Sequence, residues 1–159
     1  ASSFHIDGLI VKERQFPSIN ESLDNTLVIL RNRYKGRIEI VKDYEKFPDI
    51  ECYPGKLNQV FVNIIGNAIQ AIEGKGVITL KTRSKKNKII ISIEDDGMGM
   101  PESVKEKIFD PFFTTKDVGE GTGLGLSISF GIIEKHGGIL EVNSKEGDGT
   151  EFVISLPIN

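Results

Sequence analysis

The chain has 159 residues, 38% of them hydrophobic and 27% charged, with a formal net charge of -3. This composition reads as one ordinary globular domain, too short for two comfortable ones, and no basic excess points to nucleic acid. No apolar run approaches the roughly 18 residues of a membrane-spanning helix, the first residues lack a signal peptide's apolar core, and the single Cys52 can form no internal disulfide.

In chain order, residues 1–15 show no clear period and read as a leader or the end of a preceding element. Ser18, with Glu21 three residues on, forms a capping-box pattern, and Leu23, Leu27, Leu30 and Tyr34 keep helical spacing up to Gly36. Arg37 to Tyr44 alternates, with Ile38 and Ile40 on one side, as a half-buried strand does. Pro48 and Pro54 bracket a loop, and the spacing then predicts a second helix from Lys56 to Glu73 with an apolar stripe at Leu57, Val60, Phe61, Ile64, Ile65, Ala68 and Ile72. Val77–Arg83 and Lys88–Asp95 are predicted strands joined by a charged hairpin turn. A short helix opens at Pro101 and ends near Phe109, since proline suits the first helical position. Asp110 to Thr122 is a long loop without period, followed by a helix from Gly123 to His136, which is read as a dipole partner of that helix. Two strands, Ile139–Ser144 and Thr150–Leu156, close the chain around Glu146-Gly147-Asp148-Gly149. This order predicts an α+β fold: a two-layer sandwich with a mixed, largely antiparallel sheet of about five strands, covered on one face by helices.

Three segments break their own local rules, and glycine is the common sign, with 11 of the 17 glycines lying between Gly97 and Gly149. The second helix carries Asn63, Gly66, Asn67 and Gln70 opposite its apolar stripe, where Glu and Lys would suit solvent better. Asn63 and Asn67 stand about 6 Å apart on one face. They can present neutral amide oxygens to a hard cation such as Mg²⁺ beside a phosphate chain, with Gly66 leaving room for the ligand. The plain alternative is a solvent face. Asp95-Asp96-Gly97-Met98-Gly99-Met100 follows a buried strand directly, which suits a carboxylate accepting from an exocyclic amine, or simply an Asp-Gly turn. In Gly119-Glu120-Gly121-Thr122-Gly123-Leu124-Gly125-Leu126, glycines alternate into a helix start, exposing main-chain N–H groups as an anion site. Neither a dinucleotide fingerprint nor a P-loop pattern is present.

Taken in order, these segments resemble the catalytic, ATP-binding domain of sensor histidine kinases, in the superfamily that includes DNA gyrase, the heat-shock chaperone of that fold and mismatch-repair ATPases. Asn63-Ile64-Ile65-Gly66-Asn67-Ala68 is similar to the asparagine box, Asp95-x-Gly97-x-Gly99 to the first glycine box, and Phe109-Asp110-Pro111-Phe112-Phe113 to the phenylalanine box. Gly121-Thr122-Gly123-Leu124-Gly125-Leu126 is similar to the second glycine box, and the likeness spans about residues 20–157.

The resemblance implies a Bergerat-type ATP-binding fold with a left-handed βαβ unit, residues 1–17 as leader and 18–159 as the catalytic domain. It implies ATP and Mg²⁺ as cofactors. Asp95 would receive the adenine amino group in the box of Gly97 and Gly99, and Thr150 would sit near adenine. Asn67 would hold Mg²⁺, with Asn63 near the phosphates. Residues 110–122 would form a mobile lid anchored by Phe112 or Phe113, with Lys116 neutralising phosphate. Gly121, Thr122, Gly123, Leu124 and Gly125 would meet the phosphates.

Two departures bear on the reaction. Hydrolysing relatives carry a glutamate four residues before the metal asparagine; an amide at Asn63 cannot abstract a proton, so water should be a poor acceptor. Gln70 stands where many relatives have a basic residue, which removes one γ-phosphate contact. Neither His5 nor His136 has the setting of a phosphoacceptor histidine. The implied partners are therefore a dimerisation and phosphoacceptor domain of the same parent kinase and, downstream, a response regulator receiver domain. The implied location is cytoplasmic, with no membrane or nucleic-acid contact by this domain. A serine-directed anti-sigma kinase, an ATP-gated interaction module without phosphotransfer and a non-nucleotide binding domain are the competing readings.

Overall fold

The computed structural model describes residues 3–6, 9–12, 18–47, 49–110 and 125–158. Strands β1 (Ser3–Ile6) and β2 (Leu9–Lys12) pair antiparallel as a separate two-stranded sheet, so the stretch read as lacking a period carries a regular ladder. The available signal was Asp7-Gly8 between the two runs, a strong hairpin-turn pair.

Helix α1 spans Ile19–Ile29, and Ser18 caps it, its Oγ accepting the Glu21 N–H at 3.3 Å. The single helix expected up to Gly36 is instead broken at Leu30 (φ -93°, ψ 3°), and a short α2 follows at Arg31–Tyr34. The break is stabilised by Tyr34, whose hydroxyl donates to the Leu27 carbonyl at 3.0 Å and so satisfies a group the ended helix leaves open.

Strand β3 (Ile38–Tyr44) leads to α3 (Pro54–Ala71), which begins two residues earlier than expected because Pro54 occupies its first turn rather than the preceding loop. Arg37 holds the far end of α3: its guanidinium donates to the carbonyls of Ile72 at 2.9 Å, Gly74 at 3.1 Å and Ile69 at 3.4 Å. These carbonyls lie at and just beyond the C-terminal end of α3, where a cation complements the helix dipole.

Strand β4 (Gly76–Lys85) is longer than read, since the ladder continues to Lys85 opposite Lys88 and leaves a two-residue turn, while β5 (Lys88–Asp95) has the expected bounds. Helix α4 (Glu102–Lys105) is a single turn, α5 covers Gly125–Lys135, and β6 (Ile139–Ser144) and β7 (Thr150–Pro157) follow.

The main sheet has five strands in the order β3-β4-β5-β7-β6, parallel only between β3 and β4, which α3 connects. One face is apolar. Ile78 and Leu80 of β4, Ile89, Ile91 and Ile93 of β5, and Phe152, Ile154 and Leu156 of β7 are all buried there, under Leu57, Phe61, Ile64, Ile65 and Ile69 of α3. Alternate residues on these strands, such as Lys81 and Glu94, are exposed on the other face. The expected two-layer α+β sandwich is therefore the observed one. At the end of β5 the inner-face alternation runs on to Asp95, a carboxyl group in a row of isoleucines.

Candidate functional site

Three walls meet at that end of the sheet. The first is α3, where Asn63 and Asn67 are both half-buried, one turn apart. Asn63 Nδ2 donates to the Gly125 carbonyl at 3.0 Å and to Ser129 Oγ at 3.1 Å, so it ties the first turn of α5 to α3. A carbonyl can only accept, which fixes the amide with its nitrogen toward α5 and its oxygen on the other branch. Asn67 is engaged in a contact of its own. Gly66 does not open onto this face as expected: a Cβ there would lie 3.2 Å from Arg33 Nη1, and Arg33 Nη2 donates to the Gly66 carbonyl at 3.4 Å. The missing side chain makes room for a guanidinium from α2.

The second wall is Asp95 with the loop after it. Asp95 is only 4% exposed, its Oδ1 accepts the Gly97 N–H at 2.8 Å, and the Thr150 N–H also donates to its carboxylate. Burial raises its pKa, those two N–H donors pull it back, and Asp96 and Glu94 raise it again, leaving the group pushed up to about 6. At neutral pH it is an anion without an ion-pair partner among the described residues. A carboxylate offers about four lone-pair sites, so its two main-chain donors leave capacity for more.

The glycines of this loop were expected to let it approach a ligand. What they visibly permit is approach of main chain to main chain. A Cβ on Gly97 would lie 2.3 Å from the Ala71 carbonyl, and one on Gly99, whose φ is +67°, 2.1 Å from the Lys145 carbonyl. The loop is bonded at the same points, with Met98 N–H donating to Ala71 at 3.1 Å and Gly147 N–H to Met98 at 2.8 Å. A cavity of about 340 Å³ adjoins it, lined by Ala71, Ile72, Glu73, Lys75, Asp96, Gly97 and Met98 and not by Asp95 or the asparagines.

The third wall is the start of β7. Thr150 is buried and stands directly opposite Asp95 in the ladder, and its hydroxyl lies 2.8 Å from Ser144 Oγ. Ser144, which nothing in the sequence reading marked, also accepts the Met100 N–H at 2.9 Å and donates to the Gly149 carbonyl at 3.0 Å. Three groups from two segments converge on one hydroxyl.

The structure thus brings Asp95, Gly97, Gly99 and Thr150 together at one sheet end and joins Asn63 of α3 to Gly125 of α5. Lys116, Gly121, Thr122, Gly123 and Leu124, with Phe112, Phe113 and all but Asp110 of the expected lid, lie outside the described residues. Phe109 is described, and its ring packs 5.3 Å from Phe130 and 6.5 Å from Phe152, centre to centre. His136 meets the last turn of its own helix as expected, its Nδ1 lying 2.8 Å from the Ile132 carbonyl, and its Nε2 also accepts the Tyr53 N–H at 3.2 Å.

The donor set bears on Mg²⁺. Among the described residues no group of three or more His, Cys, Asp or Glu side chains is placed to hold a metal ion. Asparagine amide oxygens are neutral and hard, so they fit Mg²⁺ that arrives with phosphate oxygens and keeps its remaining sites for them and for water. No helix among the described residues is long and apolar enough to cross a membrane.

Residues 52–159 match the family model described as histidine kinase-, DNA gyrase B-, and HSP90-like ATPase. Sporulation kinase E of Bacillus subtilis is 41% identical over 124 residues, which make up 77% of this chain and 16% of that protein. The chain therefore spans about a sixth of the length of that curated relative. The catalytic domain of histidine kinase ThkA in a nucleotide-free form superposes with a TM-score of 0.82 at 33% identity, over 92% of this chain and 97% of that one. ThkA in complex with the response regulator protein TrrA matches with a TM-score of 0.78 at 29% identity, over 92% of this chain and 42% of that one.

Proposed function

Because this chain belongs to the family of histidine kinase-, DNA gyrase B- and HSP90-like ATPases, we propose that it is the ATP-binding catalytic unit of a sensor histidine kinase. It takes Mg-ATP and passes the γ-phosphoryl group to a histidine on a separate helical domain of the parent kinase, from which a response regulator receives it. The observation that carries this reading is Asp95. A carboxyl group buried in an isoleucine row, raised toward neutrality and lacking an ion pair among the described residues, is costly to the fold and is built for a ligand that offers N–H groups. The adenine exocyclic amine offers them.

In this reading Asp95 and Thr150 face the base, and Gly97 and Gly99 shape the loop that carries the carboxylate. Asn67 holds Mg²⁺ through its amide oxygen, and Asn63 positions the start of α5, where the N–H groups of Gly123 to Gly125 meet the phosphates. Lys116 adds charge from the segment before α5. Mg²⁺, when bound with the triphosphate, neutralises phosphate charge. Asn63 cannot serve as a base for water, which favours a protein acceptor. The relatives' names as histidine kinases favour histidine over serine as that acceptor.

The test is transfer of label from [γ-³²P]ATP with Mg²⁺, to this chain alone and to an added helical domain bearing an acceptor histidine. Acid-labile label is expected on the added domain only, and Asn67→Ala should abolish it together with Mg²⁺-dependent ATP binding. Acid-stable label, or label retained on this chain, would overturn the proposal.

A further inference from the structure

The Ser144 hydroxyl has one hydrogen and two lone pairs to divide among three partners. The Gly149 carbonyl, 3.0 Å away, can only accept, so it takes the hydrogen. The Met100 N–H, at 2.9 Å, can only donate, so it takes one lone pair. What Ser144 has left for Thr150 Oγ1, at 2.8 Å, is its other lone pair. Thr150 must therefore spend its own hydroxyl hydrogen on Ser144, and its oxygen meets anything else with lone pairs alone.

Thr150 and Asp95 are directly opposed across the β5–β7 ladder. Opposed residues point to the same face of a sheet with Cβ atoms about 5 Å apart. Both are buried on the inner face, at 6% and 4% exposure. An ionised carboxylate and a hydroxyl stripped of its hydrogen thus stand side by side, and neither can donate.

We infer that Ser144 is a positioning residue that sets base specificity: by taking the Thr150 hydrogen it makes the Asp95–Thr150 edge acceptor-only, so the edge takes a purine that presents an amine there and refuses one that presents a carbonyl. The inference rests on the reading that the base lies against Asp95. Ser144 itself does not touch the base and acts through Thr150. When Ser144 is absent, the Thr150 hydroxyl is free to rotate and donate to a carbonyl such as O6 of guanine.

The experiment titrates ATP and GTP, each with Mg²⁺, against the wild-type chain, Ser144→Ala, Ser144→Thr, Thr150→Val, Asp95→Asn and the Ser144→Ala, Thr150→Val pair. Ser144→Ala should lower the ratio of ATP to GTP affinity about fivefold, the worth of one neutral hydrogen bond gained by GTP. Ser144→Thr keeps the hydroxyl and should keep the wild-type ratio. In the Thr150→Val background, Ser144→Ala should leave the ratio where Thr150→Val alone puts it. If Ser144→Ala weakens both nucleotides by the same factor, Ser144 merely holds the loop and the inference is wrong. If Asp95→Asn shifts the ratio while Ser144→Ala does not, the relay alone fails. An unchanged ratio in Asp95→Asn as well would show that the base lies elsewhere, which removes the underlying reading and the relay together.

Discussion

Asp95 should make the free protein less stable at neutral pH, and Asp95→Asn should relieve that cost. The carboxyl's pKa rises from 3.8 to about 6 on folding. An acid whose folded pKa is raised binds its proton more tightly in the folded state. Its contribution is therefore most favourable below pH 3.8 and is lost as pH climbs through about 6. The full difference at neutral pH is about 3 kcal/mol. Solvent does little to screen it, since the residue is 4% exposed. Asparagine keeps an oxygen for the Gly97 N–H but turns an NH₂ toward the Thr150 N–H, and two facing donors cost about 1 to 2 kcal/mol. The net expectation is a gain of about 1 to 2 kcal/mol for Asp95→Asn near pH 7.5, shrinking by about 2 kcal/mol near pH 4 and reversing sign there. Urea denaturation followed by circular dichroism, without nucleotide, on both proteins at both pH values measures this, since every other titrating group cancels between them. A difference between the two proteins that does not change with pH would show that Asp95 is not a strained carboxylate. The same variant should bind ATP more weakly, so it would be more stable and less able, as a residue kept for its ligand should be.

Two further substitutions probe the frame around the site. Gly66→Ala puts a Cβ 3.2 Å from the far end of the exposed Arg33 side chain, which can swing aside, and gains about 1 kcal/mol of helix propensity; a higher thermal midpoint with unchanged ATP affinity is expected, and weakened ATP binding would return Gly66 to the ligand face. His136→Phe removes the bond from the Tyr53 N–H and the bond to the Ile132 carbonyl, which join the entry to α3 with the end of α5. It should lower stability in urea by about 2 kcal/mol, and a loss under about 0.5 kcal/mol would mean that the ring's contact with Tyr53 carries the joint.

The elements legible in the sequence were those whose cause is local. The α3 stripe from Leu57 to Ile72, the alternation of β5 and β7 and the Ser18 cap each follow from spacing within one segment. Asp95 stood out because a carboxylate and two glycines directly follow a buried strand. What stayed hidden was tertiary. The break at Leu30 depends on the Tyr34 hydroxyl folding back onto Leu27, and the true neighbour of Gly66 is an arginine 33 positions earlier. Gly97 and Gly99 drew attention for close approach, and the main chain that comes near them, at Ala71 and Lys145, could not be read from one strand. Ser144 was silent, since a serine at a strand end is common and only its three partners distinguish it.

The position of β7 has a consequence for how the domain comes into being. It is made after every other strand of the main sheet, yet it lies between β5 and β6 and pairs with both. A nascent chain that has reached β6 therefore holds β5 with one edge open and with Ile89, Ile91 and Ile93 still lacking their neighbours Leu156, Ile154 and Phe152. Open, hydrophobic edges of that kind recruit other chains. The Asp95 carboxylate also lacks Thr150 until that moment. Closing the edge of β5 and setting Thr150 opposite Asp95 are thus a single step, the docking of β7, and a ribosome that pauses within the β6–β7 hairpin prolongs the interval in which that edge stays open.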